Sequence, residues 1–324
     1  MPVAMPDDVA WSPLMRQRCS GCVGRLATLN HSTKDYGGQM AHTDARVHDA
    51  LREGYEGDTF ESQATCPFCH EGAVFVGETR NIHPEHPVEF SLRRCKSCRH
   101  MWIDPMPTQP FLDHLYRQAS NSVIGMGWET IDKRSLALPE QRILAAEQTS
   151  TPGRYFELGV GKGLLYERFR NLGWDCLGVE PGDWGAGISG VVRSLSDVPE
   201  GTFDVIVAVD VLEHVSDPIG MLNVLRSLAG PNTRLYAAFP NHQSFRFLIQ
   251  KEKWRMVRPL GHVHYFSKRS AATMFREAGF TILSARSNDL WERGLVRHPK
   301  SLIFGAVQAV GLGDQWLIVG APSS

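Results

Sequence analysis

Six of the seven cysteines in this 324-residue chain fall in three C-x-x-C pairs, a spacing typical of metal binding. The two later pairs are Cys66 with Cys69 and Cys95 with Cys98, and they are separated by 25 residues rich in valine, phenylalanine and turn formers. Two such pairs joined by a β-hairpin predict a four-thiolate zinc ribbon. Because protein then fills all four positions, we expect a structural Zn²⁺ ion. A thioredoxin-like redox pair is the competing interpretation.

The first pair, Cys19 and Cys22, lies in a segment with little periodicity, and its spacing to later histidines matches no familiar zinc finger. Residues 1–60 therefore hold either a further metal site or a partly flexible leader. Four histidines near the later pairs are expected to be solvated loop residues, since four thiolates already complete a site. They are His70, His83, His86 and His100.

A glycine-rich stretch, Glu157 to Gly163, follows a short apolar run and precedes a helical pattern. The next apolar run, Cys176 to Val179, ends in Glu180. Glycine at the end of a first strand allows a tight turn and close approach of a ligand. An acid after the second strand accepts hydrogen bonds from ribose hydroxyls. This βαβ unit is therefore predicted to bind an adenosine-type nucleotide.

The acid at Glu157 selects among such nucleotides, because a carboxylate there repels a pyrophosphate and suits a cation. S-adenosylmethionine carries a sulfonium and an ammonium group. The pattern E-x-G-x-G-x-G resembles the first motif of class I S-adenosylmethionine-dependent methyltransferases, although such a pattern alone also occurs in ordinary turns. The resemblance implies cofactor contacts from Glu157, Leu158, Gly159, Gly161, Gly163, Glu180, Ser194, Leu195, Asp210 and Val211.

Four of these positions, Ser194, Leu195, Asp210 and Val211, come from elements after the βαβ unit. The apolar run from Phe203 predicts a central parallel strand buried on both faces, and it ends at Asp210 in the sequence D-V-L-E-H-V. That segment closely resembles the corresponding motif of the same superfamily. Where many of its members place an aspartate against the adenine amine, this chain has Ser194, with Asp197 three residues later. Ser194 or a backbone carbonyl would then make the adenine contact.

The order of these elements predicts an α/β fold with a Rossmann-like sheet of seven strands, the last pair antiparallel, preceded by a small zinc-ribbon β domain. We expect a leader over residues 1–60, the ribbon over 61–105, a helical linker that covers the cleft over 106–150, and the cofactor-binding domain over 151–324.

A histidine-rich segment, H-V-H-Y-F-S, begins at His262. Together with the ribbon it resembles the nucleotide-sugar C-methyltransferases and their smaller relatives, in which a related E-H-V-x-Y-F segment supplies an active-site histidine. His262 occupies that position, but Gly261 stands where those enzymes have the acid. His262 is therefore the first candidate base, followed by His214 and His242. His214 could instead buttress a helix, and His242 could be a solvated loop residue.

The resemblance implies in-line transfer of the methyl group to a small molecule such as a sugar, a nucleotide sugar or a secondary metabolite. Two alternatives stay open: an RNA methyltransferase that uses the ribbon for RNA contact, and a non-catalytic binding module. The balance of 34 Lys and Arg against 35 Asp and Glu argues against a nucleic-acid partner or an anionic membrane. With no secretory signal or membrane span in the sequence, we expect a cytoplasmic protein.

Overall fold

The computed structural model describes residues 57–80, 89–117, 136–288 and 308–323. Cys19 and Cys22 lie outside the described residues, as do His83 and His86. Within the described ranges, no helix combines the length and apolar character that crossing a bilayer requires.

The cysteine-rich part is built from five short strands: β1 (Phe60–Glu61), β2 (Ala73–Arg80), β3 (Glu89–Cys95), β4 (Met101–Asp104) and β5 (Met106–Pro107). Strands β2, β3 and β4 form an antiparallel meander, and β1 pairs with β5 beside it. The second cysteine pair falls at the end of β3 and in the turn before β4, where a knuckle can place two thiols on one side.

A seven-stranded sheet follows, as the sequence predicts. Its strands are β6 (Arg154–Leu158), β7 (Asp175–Val179), β8 (Val191–Val192), β9 (Phe203–Val209), β10 (Ala229–Pro240), β12 (Phe280–Asn288) and β13 (Gln315–Pro322). Their spatial order is β12-β13-β10-β9-β6-β7-β8. Strand β13 runs antiparallel to both of its neighbours, and the pairs from β10 to β8 are parallel. The chain therefore has the Rossmann-like methyltransferase topology.

The described helices are α1 (Gln109–Arg117), α2 (Leu138–Glu147), α3 (Leu164–Asn171), α4 (Pro218–Ser227), α5 (Phe245–Gln250) and α6 (Lys268–Glu277). Helix α4 begins at Pro218, because Asp217 Oδ1 accepts a hydrogen bond of 2.9 Å from the Gly220 amide and proline is favoured directly after such a cap. Helix α6 is capped by Ser267, whose hydroxyl accepts a hydrogen bond from the Ser270 amide at 3.0 Å.

Burial of the central strand explains its unbroken apolar sequence. In β9, Val205 and Val207 pack into one hydrophobic cluster, whereas Ile206 and Ala208 pack into the other. Successive side chains of a strand point to opposite faces, so a strand covered on both sides must be apolar at every position. In open parallel sheets of this kind, ligands generally bind at the edge formed by the carboxyl ends of the strands.

The cysteine-rich part joins the sheet domain through one short strand, β11 (His264–Tyr265), which pairs with β4. The backbone amide of Ile103 also donates to the Val263 carbonyl at 3.2 Å. One hydrophobic cluster contains the buried cysteines together with residues of the large sheet. The histidine-rich segment is therefore held between the two parts of the chain.

One histidine near the cysteines differs from the sequence-based expectation. His70 is exposed, but His100 is fully buried, and its ring stacks on Phe68 with a centroid distance of 3.8 Å. Its position directly before the buried strand β4 places it under the joining strand β11 rather than in solvent.

Candidate functional site

The glycine turn after β6 has the backbone conformation that its sequence requires. Gly159, Gly161 and Gly163 all have positive φ angles, of 77°, 53° and 74°. Side chains rarely tolerate this region of backbone space, which glycine enters freely. A Cβ on Gly159 would lie 2.6 Å from a methyl group of Val211, whereas a Cβ on Gly161 would meet nothing within 4 Å. The backbone at Gly161 therefore faces open space.

Glu180 is directed at this turn from the end of the adjacent strand. Its side chain is buried, and one carboxylate oxygen accepts a hydrogen bond of 2.7 Å from the Gly161 amide. The other accepts from the Gly182 amide at 2.9 Å. The acid and the glycine turn that the sequence assigns to one ligand thus lie in direct contact.

Glu157, the acid of the glycine motif, is buried at the end of β6. It accepts a hydrogen bond of 2.6 Å from the hydroxyl of Tyr155. Burial, then the charge of Glu157, raises the pKa of Tyr155 well above its ordinary value, so the phenol stays a donor. This hydrogen bond fixes the carboxylate beside Leu158, also buried.

The remaining predicted cofactor residues lie at the ends of the next strands. Ser194 and Leu195 follow β8, where the Ser194 hydroxyl accepts from the Ser196 amide at 3.2 Å. Asp210 follows β9 with a positive φ of 54° and accepts from the Gln315 side chain at 2.5 Å. Strands β6 to β9 thus present the predicted cofactor residues at one edge of the sheet.

The four predicted metal ligands are brought together by the ribbon. Their sulfur atoms all lie within 4.8 Å of one another, with separations of 3.5 Å for Cys66 to Cys98 and for Cys69 to Cys95. Zinc–sulfur bonds of about 2.3 Å place tetrahedral sulfurs about 3.8 Å apart. Backbone amides also point at two of the sulfurs, as where Phe68 donates to Cys66 at 3.4 Å. This donor set fits a tetrahedral ion.

The pKa values of two thiols in this cluster also favour metal binding. The hydrogen bond shared by Cys66 and Cys98 lowers the pKa of Cys98 to about 5 and raises that of Cys66. A proton held between two thiols is one that a cation would displace, because metal ligands bind as thiolates.

His214, the second candidate base, lies on the loop after β9. Its Nδ1 is 2.5 Å from the carbonyl oxygen of Gly261 and 2.6 Å from the hydroxyl of Tyr116 on α1. A carbonyl can only accept, so Nδ1 carries the proton and Nε2 carries a lone pair. Burial, and then the charges of Glu213 and Glu180, hold the pKa of Tyr116 well above its ordinary value.

His262, the first candidate base, has the same arrangement. Its Nδ1 lies 2.8 Å from the Met256 carbonyl, so Nδ1 donates and Nε2 keeps its lone pair. Burial, then the neighbouring His214, holds its pKa well below the ordinary value. The two imidazole rings stand edge to face with centroids 4.8 Å apart. Each ring is therefore a neutral acceptor that its backbone partner holds in place.

Glu213 completes a group with these two histidines, in which one ligand atom from each lies within 4.8 Å of the others. Its Oε1 is 3.9 Å from His214 Nε2, and its side chain is fully buried. Burial, and then the charge of Asp210, raise the pKa of Glu213 well above its ordinary value.

His242, the third candidate, lies outside this group and makes different contacts. Its Nε2 donates to the Arg99 carbonyl in the second cysteine knuckle at 2.6 Å, and burial lowers its pKa to about 4. The structure therefore brings His262 and His214 together and places His242 against the ribbon.

A second contact of the ribbon reaches the same loop through two histidines. His264 Nε2 donates to the Ser216 carbonyl at 3.2 Å, so its Nδ1 accepts from His100 Nε2 at 3.0 Å. Ser216 follows His214 by two residues. The chain of contacts links the buried ribbon histidine to the loop that carries the candidate base.

Two residues of the site were given no role by the sequence. Tyr116 lies 98 positions before its partner His214, and in a helix of this kind it resembles one more apolar-face residue. Glu213 stands inside a recognised motif, but its sequence position does not reveal that it faces two imidazoles. The adjacency of an acid and a histidine at the end of a central strand is the signal that could have found it.

Comparison with known proteins identifies a family model and a curated relative that each match part of the chain. Residues 131–285 match the family model of a methyltransferase domain. A ubiquinone biosynthesis O-methyltransferase of Hahella chejuensis is 26% identical over 119 residues, which are 32% of this chain and 50% of that protein. The chain thus matches about half the length of this curated relative.

Comparison with solved structures matches two methyltransferases at TM-scores below 0.5. The 1,6-didemethyltoxoflavin N1-methyltransferase of Burkholderia thailandensis covers 72% of this chain and 96% of its own, at 15% identity and a TM-score of 0.48. A methyltransferase of Archaeoglobus fulgidus covers 56% of this chain and 92% of its own, at 16% identity and a TM-score of 0.42. The fold assignment itself rests on the sheet order and the family model.

Proposed function

Because residues 131–285 match the family model of a methyltransferase domain, we propose that the chain is a class I S-adenosylmethionine-dependent methyltransferase that acts on a small-molecule acceptor. The observation that carries this proposal is the contact between Glu180 and the glycine turn at Gly161. An adenosine-type cofactor needs a ribose acceptor and an approachable backbone at one point, and these two residues supply both.

The proposed cofactor lies across the ends of β6 to β9. Glu180 holds the ribose hydroxyls, and the turn from Gly159 to Gly163 receives the methionine part, near the fixed carboxylate of Glu157. Ser194 and Leu195 contact the adenine. The positive sulfonium and ammonium groups favour a buried acid beside the turn, which a pyrophosphate would not.

The methyl group is already activated on the sulfonium, so the protein has to place a nucleophile in line with the carbon–sulfur bond at about 3–3.5 Å. An acceptor hydroxyl or amine must also lose its proton. We assign this part of the site to His262 and His214, because both keep an Nε2 lone pair while a backbone carbonyl fixes Nδ1.

We also propose that Cys66, Cys69, Cys95 and Cys98 hold a structural Zn²⁺ ion. Four thiols occupy all tetrahedral positions, so the ion would stabilise the ribbon and take no part in the reaction. Free thiols of this kind persist in a reducing compartment, which suits a cytoplasmic protein.

The test is transfer of a labelled methyl group from S-adenosylmethionine to a panel of nucleotide sugars, free sugars, phenolic metabolites and RNA. We expect label on a small molecule and none on RNA. Label on RNA whose binding weakens steeply with salt would instead support the RNA enzyme. If the chain does not bind S-adenosylhomocysteine at all, it is a binding module and the proposal is wrong.

A further inference from the structure

Glu213, His214 and His262 form one buried group, and a histidine base alone does not explain why it contains a carboxylate. Glu213 is fully buried, and neither of its carboxylate oxygens has a hydrogen-bond partner within the part of the chain that the structure describes. Buried carboxylates are normally paired, hydrogen-bonded or bound to a metal. In the structure the Glu213 oxygen nearest to an imidazole nitrogen is still 3.9 Å from His214 Nε2, which is too long for a hydrogen bond.

The two histidines are oriented as metal ligands are. A ligating imidazole binds through one nitrogen and donates its other N–H to a carbonyl or carboxylate, which fixes the ring. His214 donates to the Gly261 carbonyl and His262 to the Met256 carbonyl, both through Nδ1. The two Nε2 lone pairs belong to the group whose third member is the Glu213 carboxylate.

The distances suit an ion after small side-chain rotations. Ligand bonds of about 2.1 Å place tetrahedral ligand atoms about 3.4 Å apart. The Nε2 of His214 is 3.9 Å from Glu213 Oε1, and the atoms of all three residues lie within 4.8 Å. A cation at their centre supplies the partner that the buried carboxylate needs.

We propose that Glu213, His214 and His262 bind a divalent transition-metal ion such as Zn²⁺, separate from the ion of the cysteine ribbon. Two imidazoles and one carboxylate are a set that such ions accept, and three protein ligands leave at least one position open. This site lies beside the cofactor turn, because Val211 on the same loop packs against Gly159.

The open coordination position of the ion determines which class of acceptor can bind, and this inference rests on the proposed methyltransferase function. An acceptor hydroxyl that binds the ion becomes more acidic and loses its proton to water in the cleft. Its oxygen then attacks the methyl carbon, and the electron pair of the broken carbon–sulfur bond returns to sulfur. The acceptor class is therefore an oxygen nucleophile, such as a phenol, an enol or a sugar hydroxyl. In the ion-bound enzyme the Nε2 of His262 serves as a ligand in place of acting as the base.

The test is calorimetric titration of Zn²⁺ into the full chain whose ribbon already holds one ion. We expect one further equivalent to bind, and Glu213→Gln and His262→Asn each to weaken its binding at least tenfold. Glu167→Gln removes an exposed carboxylate on α3 and is the matched control, which should bind as the wild type does. Co²⁺ at the second site should show no thiolate charge-transfer band, since its ligands are nitrogen and oxygen.

The proposal is overturned if the wild type binds only the ribbon ion, or if both variants bind the second ion unchanged. Circular dichroism identifies a variant that fails to fold, and the other variant then decides. Titration with S-adenosylhomocysteine separates this proposal from the proposed function. Ion binding without binding of this product would leave the metal site standing and reject the methyltransferase.

Discussion

The carboxylate of Glu180 accepts a hydrogen bond of 2.7 Å from the backbone amide of Gly161, although 19 residues separate them in the chain. Strand β6 ends in the glycine turn and the adjacent parallel strand β7 ends in the acid. Parallel neighbours deliver their carboxyl ends to one edge, so this contact is a direct consequence of the βαβ unit. The backbone therefore already holds the Glu180 carboxylate in position to accept hydrogen bonds from a ribose.

Replacing Gly161 by alanine should cost cofactor affinity far more than stability. The residue has a φ of 53° and open space where a Cβ would lie, which is the space that we assign to the cofactor. A side chain in this left-handed region costs roughly 1–2 kcal/mol of folding free energy. We expect binding of S-adenosylhomocysteine, measured by calorimetry, to weaken at least tenfold.

Gly187 provides the matched control for that substitution. It has a φ of 82° and likewise nothing within 4 Å of an added Cβ, but it lies outside the turn. Gly187→Ala should lower the melting temperature about as much as Gly161→Ala while leaving cofactor affinity unchanged. Equal losses of affinity in both variants would show that backbone strain, rather than a blocked cofactor seat, is responsible.

The substitution His262→Ala should lower kcat while the affinity for S-adenosylhomocysteine stays the same. The imidazole lies next to His214 and not on the glycine turn. As a base or as a ligand of the proposed ion it helps to remove the acceptor proton, and loss of proton-transfer catalysis typically lowers the rate 10²- to 10⁴-fold. Single-turnover transfer of labelled methyl measures the effect. His70→Asn is the control, since His70 is exposed at a backbone position that asparagine tolerates. Normal turnover of the His262 variant would remove this residue from the mechanism.

The cysteine ribbon should be required for activity as well as for its own ion. Two carbonyls of the second knuckle accept hydrogen bonds from the sheet domain, Cys98 from Ser267 at 3.0 Å and Arg99 from His242 at 2.6 Å. Cys66→Ser should lower the zinc content by one equivalent per chain, measured by elemental analysis, and slow methyl transfer. Cys176→Ser, which alters a thiol outside the cluster, should change neither quantity. Full activity of a zinc-free Cys66 variant would mean that the ribbon does not position the site.

Acidic pH should destabilise the fold through two buried histidines. Burial lowers the pKa of His242 and of His264 to about 4, below the value of about 6.5 in the unfolded chain. Between these values the unfolded chain binds protons that the native chain does not. The free energy of unfolding is therefore fully present above pH 6.5 and falls towards pH 4, by at most about 1.4 kcal/mol per pH unit for each histidine.

Urea unfolding at several pH values between 7.5 and 4.5 measures this effect. His264→Gln keeps one donor and one acceptor but removes one titrating group, so its stability should depend less steeply on pH than that of the wild type. Both proteins carry the same ribbon thiols, so acid release of the ribbon ion affects them alike. Identical slopes would show that His264 is not held neutral in the fold.

Much of this site follows from the sequence because its signals are local. Glycines that need a positive φ, an acid at a strand end and cysteines with two residues between them can each be recognised from a few neighbouring positions. Local patterns can also mislead at their ends. Leu165, Phe169 and Leu172 share the spacing of one helical face, but α3 ends at Asn171 and Leu172 is 39% exposed.

The contacts that the sequence did not predict are those made across long separations. Tyr116 meets His214 over 98 positions, and His100 meets His264 over 164. No sequence periodicity relates residues so far apart. The pairing of β11 with β4 is what brings His100 and His264 together. The acid–histidine group depends on the same packing, which places the segment after Met256 against the loop after β9.

Calorimetric titration of S-adenosylhomocysteine into the wild type and the Glu180→Ala variant, with Glu167→Ala as a surface control, tests the central claim most directly. We expect saturable one-to-one binding to the wild type and the control, and at least a hundredfold weaker binding or none to Glu180→Ala. We propose that this buried carboxylate accepts the two ribose hydroxyls, so its removal should cost about 3 kcal/mol of binding free energy or more, which corresponds to that factor. Binding of equal strength to all three proteins would contradict the account, because the ligand would then lie away from the glycine turn.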